Sequence, residues 1–199
     1  MGAGDVPEKV LESVDEPRRA FLRKLILGST FVVPSVASFS MAGLSVGEAA
    51  VCVSNQIQDF SGQNLHGQNL SGCDFAGDNF SGANLSGANL SGSVFADANF
   101  SGANLNQANL SNGELVRANL TGANLQGANL TGARLFGAIL TGANLTNANL
   151  TNAHLEFATL KGAILQGTIL AGVMWSDTTC PDGTNSDSDG GTCLGHLTT

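Results

Sequence analysis

The sequence is poor in the residues that build most active sites. Its 199 residues include no tyrosine, one tryptophan, three histidines and four prolines, and 12% are charged, against about 25% in ordinary soluble domains. Three Lys or Arg residues follow Ala42, so no basic patch can track phosphates and we expect no direct nucleic-acid binding. The phosphate-loop and H-E-x-x-H zinc motifs are also absent. The composition favours a non-catalytic protein that carries no cofactor and no metal.

What the chain has in abundance is a five-residue repeat. From Phe60 to Trp175, every fifth residue is Leu, Phe or, once, Trp, which gives 24 repeats. We call this position i; position i−2 is mostly Ala, i−1 is mostly Asn, and i+1 with i+2 are mostly Ser or Thr followed by Gly or Asn. A period of five fits neither a helix face nor strand alternation. Three alternating residues followed by turn-forming residues predict a backbone that winds around an interior of Ala and Leu.

The pattern Ala-(Asn/Asp)-Leu-x-x over residues 56–175 resembles that of the pentapeptide repeat proteins. The resemblance implies an all-β fold, a right-handed quadrilateral β-solenoid with four pentapeptides per coil and positions i and i−2 directed inward. The residues support this lap length, because the inward phenylalanines fall on two of four columns when the chain is folded at a period of 20. These residues are Phe60, Phe75, Phe80, Phe95 and Phe100. The repeats then predict about six coils.

We predict four segments along the chain. Residues 1–42 form a twin-arginine-like signal, helical segment or anchor, and residues 43–59 form a linker and N-terminal cap. Residues 60–175 form the solenoid, and residues 176–199 form a disulfide-tied C-terminal cap. Caps are expected because each end of a solenoid exposes unpaired backbone groups.

The N-terminal segment predicts export. Arg18 and Arg19, with Phe21 and Leu22 and the apolar stretch that follows, resemble a twin-arginine export signal. A helix that merely contains the arginine pair and an uncleaved anchor remain alternatives, since residues 25–46 are just long enough to span a membrane. We expect the protein in the periplasm or outside the cell, or in the thylakoid lumen of a cyanobacterium. Membrane contact would occur only through this segment.

The cysteines fit an oxidising compartment. Cys180 and Cys193 bracket a Ser-, Asp- and Gly-rich run that needs a cross-link to hold a shape, and a disulfide there would contribute about 3 kcal/mol. Cys73 lies at an inward position and is expected to be a small buried apolar residue, while Cys52 is left unassigned. The run from Asn185 to Gly190 resembles the start of a calcium loop, but His196 stands where a bidentate Glu is needed. We therefore expect a turn cluster rather than a calcium site.

One side of the predicted solenoid differs from the other three, which carry ladders of Asn with Ser or Thr. Of nine Asp, Glu, Lys and Arg residues between positions 59 and 161, six fall on this side. Exposed aromatics mixed with Arg and carboxylates are typical of a partner-binding patch; drift of the repeats, or cover by a leader or tail segment, is the alternative. We expect His154 and Glu156 to form a solvated pair. We call the following residues the variable face: Val94, Asp97, Glu114, Val116, Arg117, Arg134, Phe136, His154, Glu156 and Phe157.

These features predict a non-catalytic exported scaffold that presents the variable face to a protein or envelope partner. One alternative is nucleic-acid mimicry, since the resemblance extends to quinolone-resistance pentapeptide proteins that look like duplex DNA to gyrase. The repeats here carry six acidic and three basic residues, which is a weak match to an acidic rod. Another alternative is a structural or cofactor-carrying exported protein, because twin-arginine clients often fold around a cofactor. The solenoid ends also allow two copies to pair end to end.

Overall fold

The computed structural model describes residues 57–196. The repeats wind there into successive laps of 20 residues, because parallel bridges join residues twenty apart from Asp59↔Asn79 to Thr159↔Thr179. Each bridge is a single residue at position i−1, and neither an α-helix nor a longer strand occurs between residues 57 and 196. The C-terminal tail, after the repeats, contains a 3₁₀-helix, Ser186–Asp189. This interval agrees with a lap of four pentapeptides, and the right-handed winding and the number of coils stay predictions.

Backbone hydrogen bonds between neighbouring laps hold each side of the coil. Leu85 N donates to Asn104 O at 2.8 Å, and Asn104 N donates to Ala83 O at 2.8 Å. Each corner is closed by a bond across the turn, such as Ala83 N to Phe80 O at 3.0 Å. The turn requires a left-handed residue at i+2, which explains why Gly is frequent there, as at Gly82 with φ of 63°. The repeat is thus a short strand-like step followed by a tight turn, as predicted.

Ala at i−2 and Leu or Phe at i fill the interior. From Ala83 to Leu160 the residues at these two positions are buried, Ser93 and Gly113 standing in place of Ala. The phenylalanines stack in two columns as predicted: the Phe60 and Phe80 rings lie 4.7 Å apart, and the Phe75 and Phe95 rings lie 5.4 Å apart. Apolar burial of this kind is the main stabilising contribution to the fold.

Asparagine side chains at i−1 form ladders along the outer surface. Asn104 Nδ2 donates to Asn84 Oδ1 at 3.2 Å, and Asn124 Nδ2 donates to Asn104 Oδ1 at 3.3 Å. Each such Oδ1 also accepts from the residue at i+1: Thr131 donates its backbone N–H at 3.1 Å and its hydroxyl at 2.7 Å to Asn129. The ladder therefore connects laps and pins the turn at the same time.

The first lap is less regular. Asp78 stands where most repeats have Ala, and its side chain accepts from Gln58 N at 2.7 Å. Burial raises the pKa of the Asp78 carboxyl, which agrees with the predicted cost of placing a carboxylate in the interior. Cys73 is buried as predicted but is also disulfide-bonded, which corrects the expectation that it acts only as a small apolar side chain. Its partner cysteine lies outside the described residues.

The C-terminal residues cover part of the last lap. Cys180 and Cys193 form the predicted disulfide, with an S–S distance of 2.01 Å. An antiparallel bridge joins Thr179 to Asn185, and Ser186 N donates to Thr178 O at 2.8 Å. Among residues 57–196, no helix is long and apolar enough to cross a membrane. Most of the predicted N-terminal cap, residues 43–56, and the export-signal residues Arg18, Arg19, Phe21 and Leu22 lie outside the described residues.

Candidate partner-binding face

The residues of the variable face lie together in the structure because the lap aligns them. Parallel bridges run from Val94 to Glu114, from Glu114 to Arg134 and from Arg134 to His154, so these i−1 residues form one column. Val116, Phe136 and Glu156 form a second column at i+1. Asp97, Arg117 and Phe157 lie in a third column, at i+2. All ten predicted residues thus occupy one side of the coil.

Two ion pairs connect neighbouring laps on this face. Arg117 binds Asp97 through two contacts, Nε to Oδ1 at 2.7 Å and Nη2 to Oδ2 at 2.5 Å. The hydrogen bond from Arg117, helped by its charge, lowers the pKa of the Asp97 carboxyl and raises the pKa of Arg117. Arg134 lies 3.5 Å from Glu114. Both pairs are exposed to solvent, so they contribute more to orienting these side chains than to stability.

An aromatic pair stands beside the ion pairs. The rings of Phe136 and Phe157 lie 4.9 Å apart at an interplanar angle of 55°. Phe136 is 45% exposed and Phe157 is 52% exposed, so the two rings together form a contiguous apolar patch on the surface. Phe157 also has φ of 61°, a strained conformation for a bulky residue. Packing inside the coil does not explain this pair, because the core lies on the other side of the backbone.

His154 and Glu156 make a contact that is less solvated than the sequence suggests. His154 Nδ1 lies 3.2 Å from Glu156 Oε1, and the Glu156 side chain is 20% exposed. Glu156 Oε2 is covered from solvent and has no hydrogen-bond partner among the described residues. The predicted pair is therefore formed, but Glu156 is less solvated than predicted, since one of its carboxylate oxygens is covered.

The i−1 and i+1 side chains differ between the two kinds of side. On the uniform sides they are short and bond to each other, such as Asn129 with Thr131 and Asn149 with Thr151. On the variable face the same positions carry large side chains, which line a half-open pocket of about 310 Å³. Its lining consists of Val116, Arg134, Phe136, His154 and Glu156. All five belong to the predicted face, although the sequence did not predict a pocket.

Two contacts of histidine were missed at the sequence level. His66 Nδ1 lies 2.8 Å from Ser86 Oγ, a contact that the period of 20 could have indicated, since the two residues are one lap apart. His196 Nδ1 lies 2.6 Å from Asp182 Oδ2, and only the folded tail brings these two together. Hydrogen bonds from the Thr184 amide and hydroxyl, with a smaller contribution from His196, lower the pKa of Asp182 to about 2.

The tail holds a turn cluster at the place of the suspected calcium loop. The Asn185 side chain accepts from Asp187 N at 2.8 Å and begins the 3₁₀-helix. Asp187 Oδ1 accepts from Asp177 N at 3.0 Å. Between residues 57 and 196, no group of three or more His, Cys, Asp or Glu residues is placed to hold a metal ion.

The 20-residue laps and the variable face that they carry define a solenoid repeat protein. The sequence matches the family described as Pentapeptide repeats in 8 copies, over residues 59–97, 79–112, 98–137, 114–152 and 138–173. The chain belongs to the pentapeptide repeat family. None of the curated proteins compared with the chain matches it.

Several solved pentapeptide repeat structures are similar in sequence to the repeats. Rfr23 of the cyanobacterium Cyanothece 51142 is 34% identical over 58% of this chain and 85% of its own, with a TM-score of 0.37. A protein of Nostoc Pcc 7120 is 32% identical over 59% and 84%, with a TM-score of 0.35. QnrB1, described as a plasmid-mediated fluoroquinolone resistance protein, is 23% identical over 61% and 70%, with a TM-score of 0.35. These likenesses assign no function to this chain.

Proposed function

We propose that this protein is a non-catalytic, exported scaffold that binds another protein or an envelope component through the variable face. The solenoid that carries this face winds in a right-handed sense and makes about six coils. The observation that carries the proposal is the concentration of ion pairs, exposed aromatics and a pocket on one side of an otherwise uniform coil.

The interior does not account for this concentration. Leu135 and Leu155 beneath the face are fully buried, as are Leu125 and Leu145 beneath a uniform side. In these two laps the inward residues are therefore the same in kind, and the difference is confined to side chains that project outward. In earlier laps the interior beneath the face also departs from the repeat, at Ser93, Phe95 and Gly113. A mixed apolar and charged surface with a concave centre is the arrangement found at protein interfaces.

The face also departs from what stabilises the coil. Asn ladders are replaced there by exposed ion pairs, which contribute little, and a left-handed turn position carries Phe157 instead of Gly. Residues that bring little stability or some strain are typical of functional surfaces. The variable face fits this description better than it fits a structural role.

A pull-down from envelope extract tests the proposal. The bait is the purified protein, and the variant combines Arg134→Ser, Phe136→Ser and Phe157→Ser. The matched control combines Asn124→Ser, Gln126→Ser and Asn147→Ser, which occupy the same repeat positions on the opposite side, including a left-handed residue at Asn147 with φ of 59°. We expect the partner to be recovered by the parent and the control and lost by the face variant. Equal recovery by all three proteins would remove the face from the proposal.

Export has its own test. Mass spectrometry of the mature N-terminus should find cleavage near Ala42 and the protein outside the cytoplasm. An intact N-terminus in a cytosolic protein would contradict export. Any partner of the variable face would then have to be cytosolic.

A further inference from the structure

The pocket on the variable face has walls of defined chemistry. Val116, Phe136 and Glu156 form one wall along the i+1 column, and Arg134 and His154 form the other along the i−1 column. We infer that this pocket receives the side chain of an arginine or lysine from an exposed segment of a partner protein. This inference rests on the proposed binding role and specifies the chemistry of the partner.

Charge pairing on the face leaves one carboxylate without a permanent cation. Arg117 is held by Asp97 with two contacts, and Arg134 lies beside Glu114. Glu156 has only His154, which is neutral unless protonated. Over the face, three carboxylates therefore stand against two arginines, and the carboxylate without an arginine, Glu156, lies in the pocket; Arg134 also lines the pocket but is paired with Glu114.

The hydrogen bonding of Glu156 points the same way. A carboxylate can accept about four hydrogen bonds, yet Oε1 contacts His154 Nδ1 and Oε2 has no donor among the described residues. Oε2 is covered, so a ligand reaches it only after the side chain moves. A half-turn of the terminal torsion would only exchange the two oxygens, so the movement must include the inner torsions of Glu156. A guanidinium or ammonium group would supply the missing donors as well as the missing charge.

The rest of the lining suits the remainder of a basic side chain. Lysine and arginine carry apolar stems that pack along apolar surface while their charged ends remain hydrated, and Val116 provides such a surface. Phe136 adds an aromatic ring that is 45% exposed, and a cation over an aromatic ring is attracted to it. An acidic occupant would meet Glu156 and would have to compete with Glu114 for Arg134, and a purely apolar one would leave Oε2 without a donor.

Binding of single amino-acid derivatives tests the inference directly. The probes are N-acetyl-arginine N-methylamide and N-acetyl-lysine N-methylamide, and the controls are the norleucine and glutamate analogues. Each is titrated into the purified full chain while the methyl resonances of Val116 are followed by NMR. We expect saturable shifts with the arginine and lysine probes that weaken in high salt. Equal binding of the norleucine analogue, or stronger binding of the glutamate analogue, would overturn the inference.

Two variants assign the binding to the pocket. Glu156→Gln keeps the shape of the side chain and removes its charge, and it should raise the Kd of the arginine probe at least fivefold. Gln126→Ser, at the i+1 position of the opposite side, should leave the Kd unchanged. An unchanged Kd in Glu156→Gln would contradict the inference.

The outcomes separate this inference from the proposed function. If the pull-down recovers a partner through the face but that partner is not displaced by the arginine probe, the inference fails and the binding role stands. If the probes bind as expected but the face variant recovers the same proteins as the parent, the pocket chemistry stands and the proposed role fails.

Discussion

The variable face and the uniform side opposite to it share one backbone repeat and, in the laps of Leu135 and Leu155, the same kind of inward residues, but they differ in what projects outward. On the uniform side, Asn and Thr side chains bond to each other and to the turn, as Asn144 does with Thr146. On the variable face, the corresponding places hold Arg134 with Phe136 and His154 with Glu156. The comparison teaches that packing fixes the inward positions of this coil, while the outward positions of one side are free to carry binding chemistry.

The largest expected effect tests whether the two regions share one core. Leu125 lies beneath the uniform side and Leu135 beneath the variable face, and both are fully buried. We expect Leu125→Ala and Leu135→Ala each to lower the free energy of unfolding by about 2–5 kcal/mol, because each removes buried apolar volume and leaves a cavity. Urea denaturation followed by circular dichroism measures both. A loss of unfolding free energy in Leu135→Ala well below that in Leu125→Ala would show that the interior beneath the variable face is less tightly packed.

A smaller effect on stability should distinguish the outward side chains of the two sides. Asn124 donates to Asn104 at 3.3 Å and accepts from Gln126 N at 3.2 Å, whereas Arg134 makes one exposed contact of 3.5 Å. We expect Asn124→Ala to cost about 1–2 kcal/mol, because it removes the donor to Asn104 Oδ1 and leaves the turn N–H of Gln126 without its acceptor. Arg134→Ala should cost at most about 1 kcal/mol. The same denaturation experiment compares the two variants. A larger loss of unfolding free energy in Arg134→Ala than in Asn124→Ala would mean that the face is stabilising rather than binding.

The left-handed turn position offers a third comparison. Gly122 has φ of 64° with open space around it, and Arg117 has φ of 56° one repeat earlier. We expect Gly122→Ala to cost about 1 kcal/mol, because a Cβ is disfavoured at positive φ even where it meets no neighbour. Arg117→Ala adds no such strain, since Arg117 already carries a Cβ. The shift of the midpoint of thermal unfolding distinguishes them, and equal shifts would argue against backbone strain as the cause.

The smallest expected effect concerns the pH dependence of the face. Arg117 lowers the pKa of Asp97 from its ordinary 3.8, so the stabilisation by this pair is present above the unfolded-state pKa of about 3.9. It is lost as the pH falls through the lowered folded-state value. Arg117→Ala should return the Asp97 pKa toward 3.8, as measured by NMR titration of the side-chain carboxyl. Identical titration curves in parent and variant would mean that the pair is not formed in solution.

The sequence predicted most of the coil because the period is carried by every repeat. Leu or Phe at i and Ala at i−2 indicated the interior, and the phenylalanine columns indicated a lap of 20 residues before any coordinates. The disulfide between Cys180 and Cys193 could be predicted from the composition of the intervening run. The sequence did not predict that Cys73 is also disulfide-bonded, because an inward position of the repeat suits a buried free thiol equally well.

The variable face could be assembled from the sequence by residue number alone. Its composition and alignment follow from the period, so Arg134, Phe136 and His154 could be assigned to one side without a structure. The pocket could not be predicted in this way, because its volume depends on which rotamers the flanking side chains adopt and on how far they cover Glu156. Nor could the contact between His196 and Asp182, which depends on the path of an irregular tail.

The sequence by itself determined the division into inward and outward residues, because the five-residue period places Leu and Ala at fixed positions of every repeat, and the phenylalanine columns supported the lap of 20 that the family resemblance implies. Tertiary structure alone decided how the outward side chains meet across laps: which Arg binds which carboxylate, where the pocket lies, and which oxygen of Glu156 is left without a donor. The physical reason is that burial depends on periodic position, whereas side-chain contacts depend on distances of a few ångströms that periodicity does not specify.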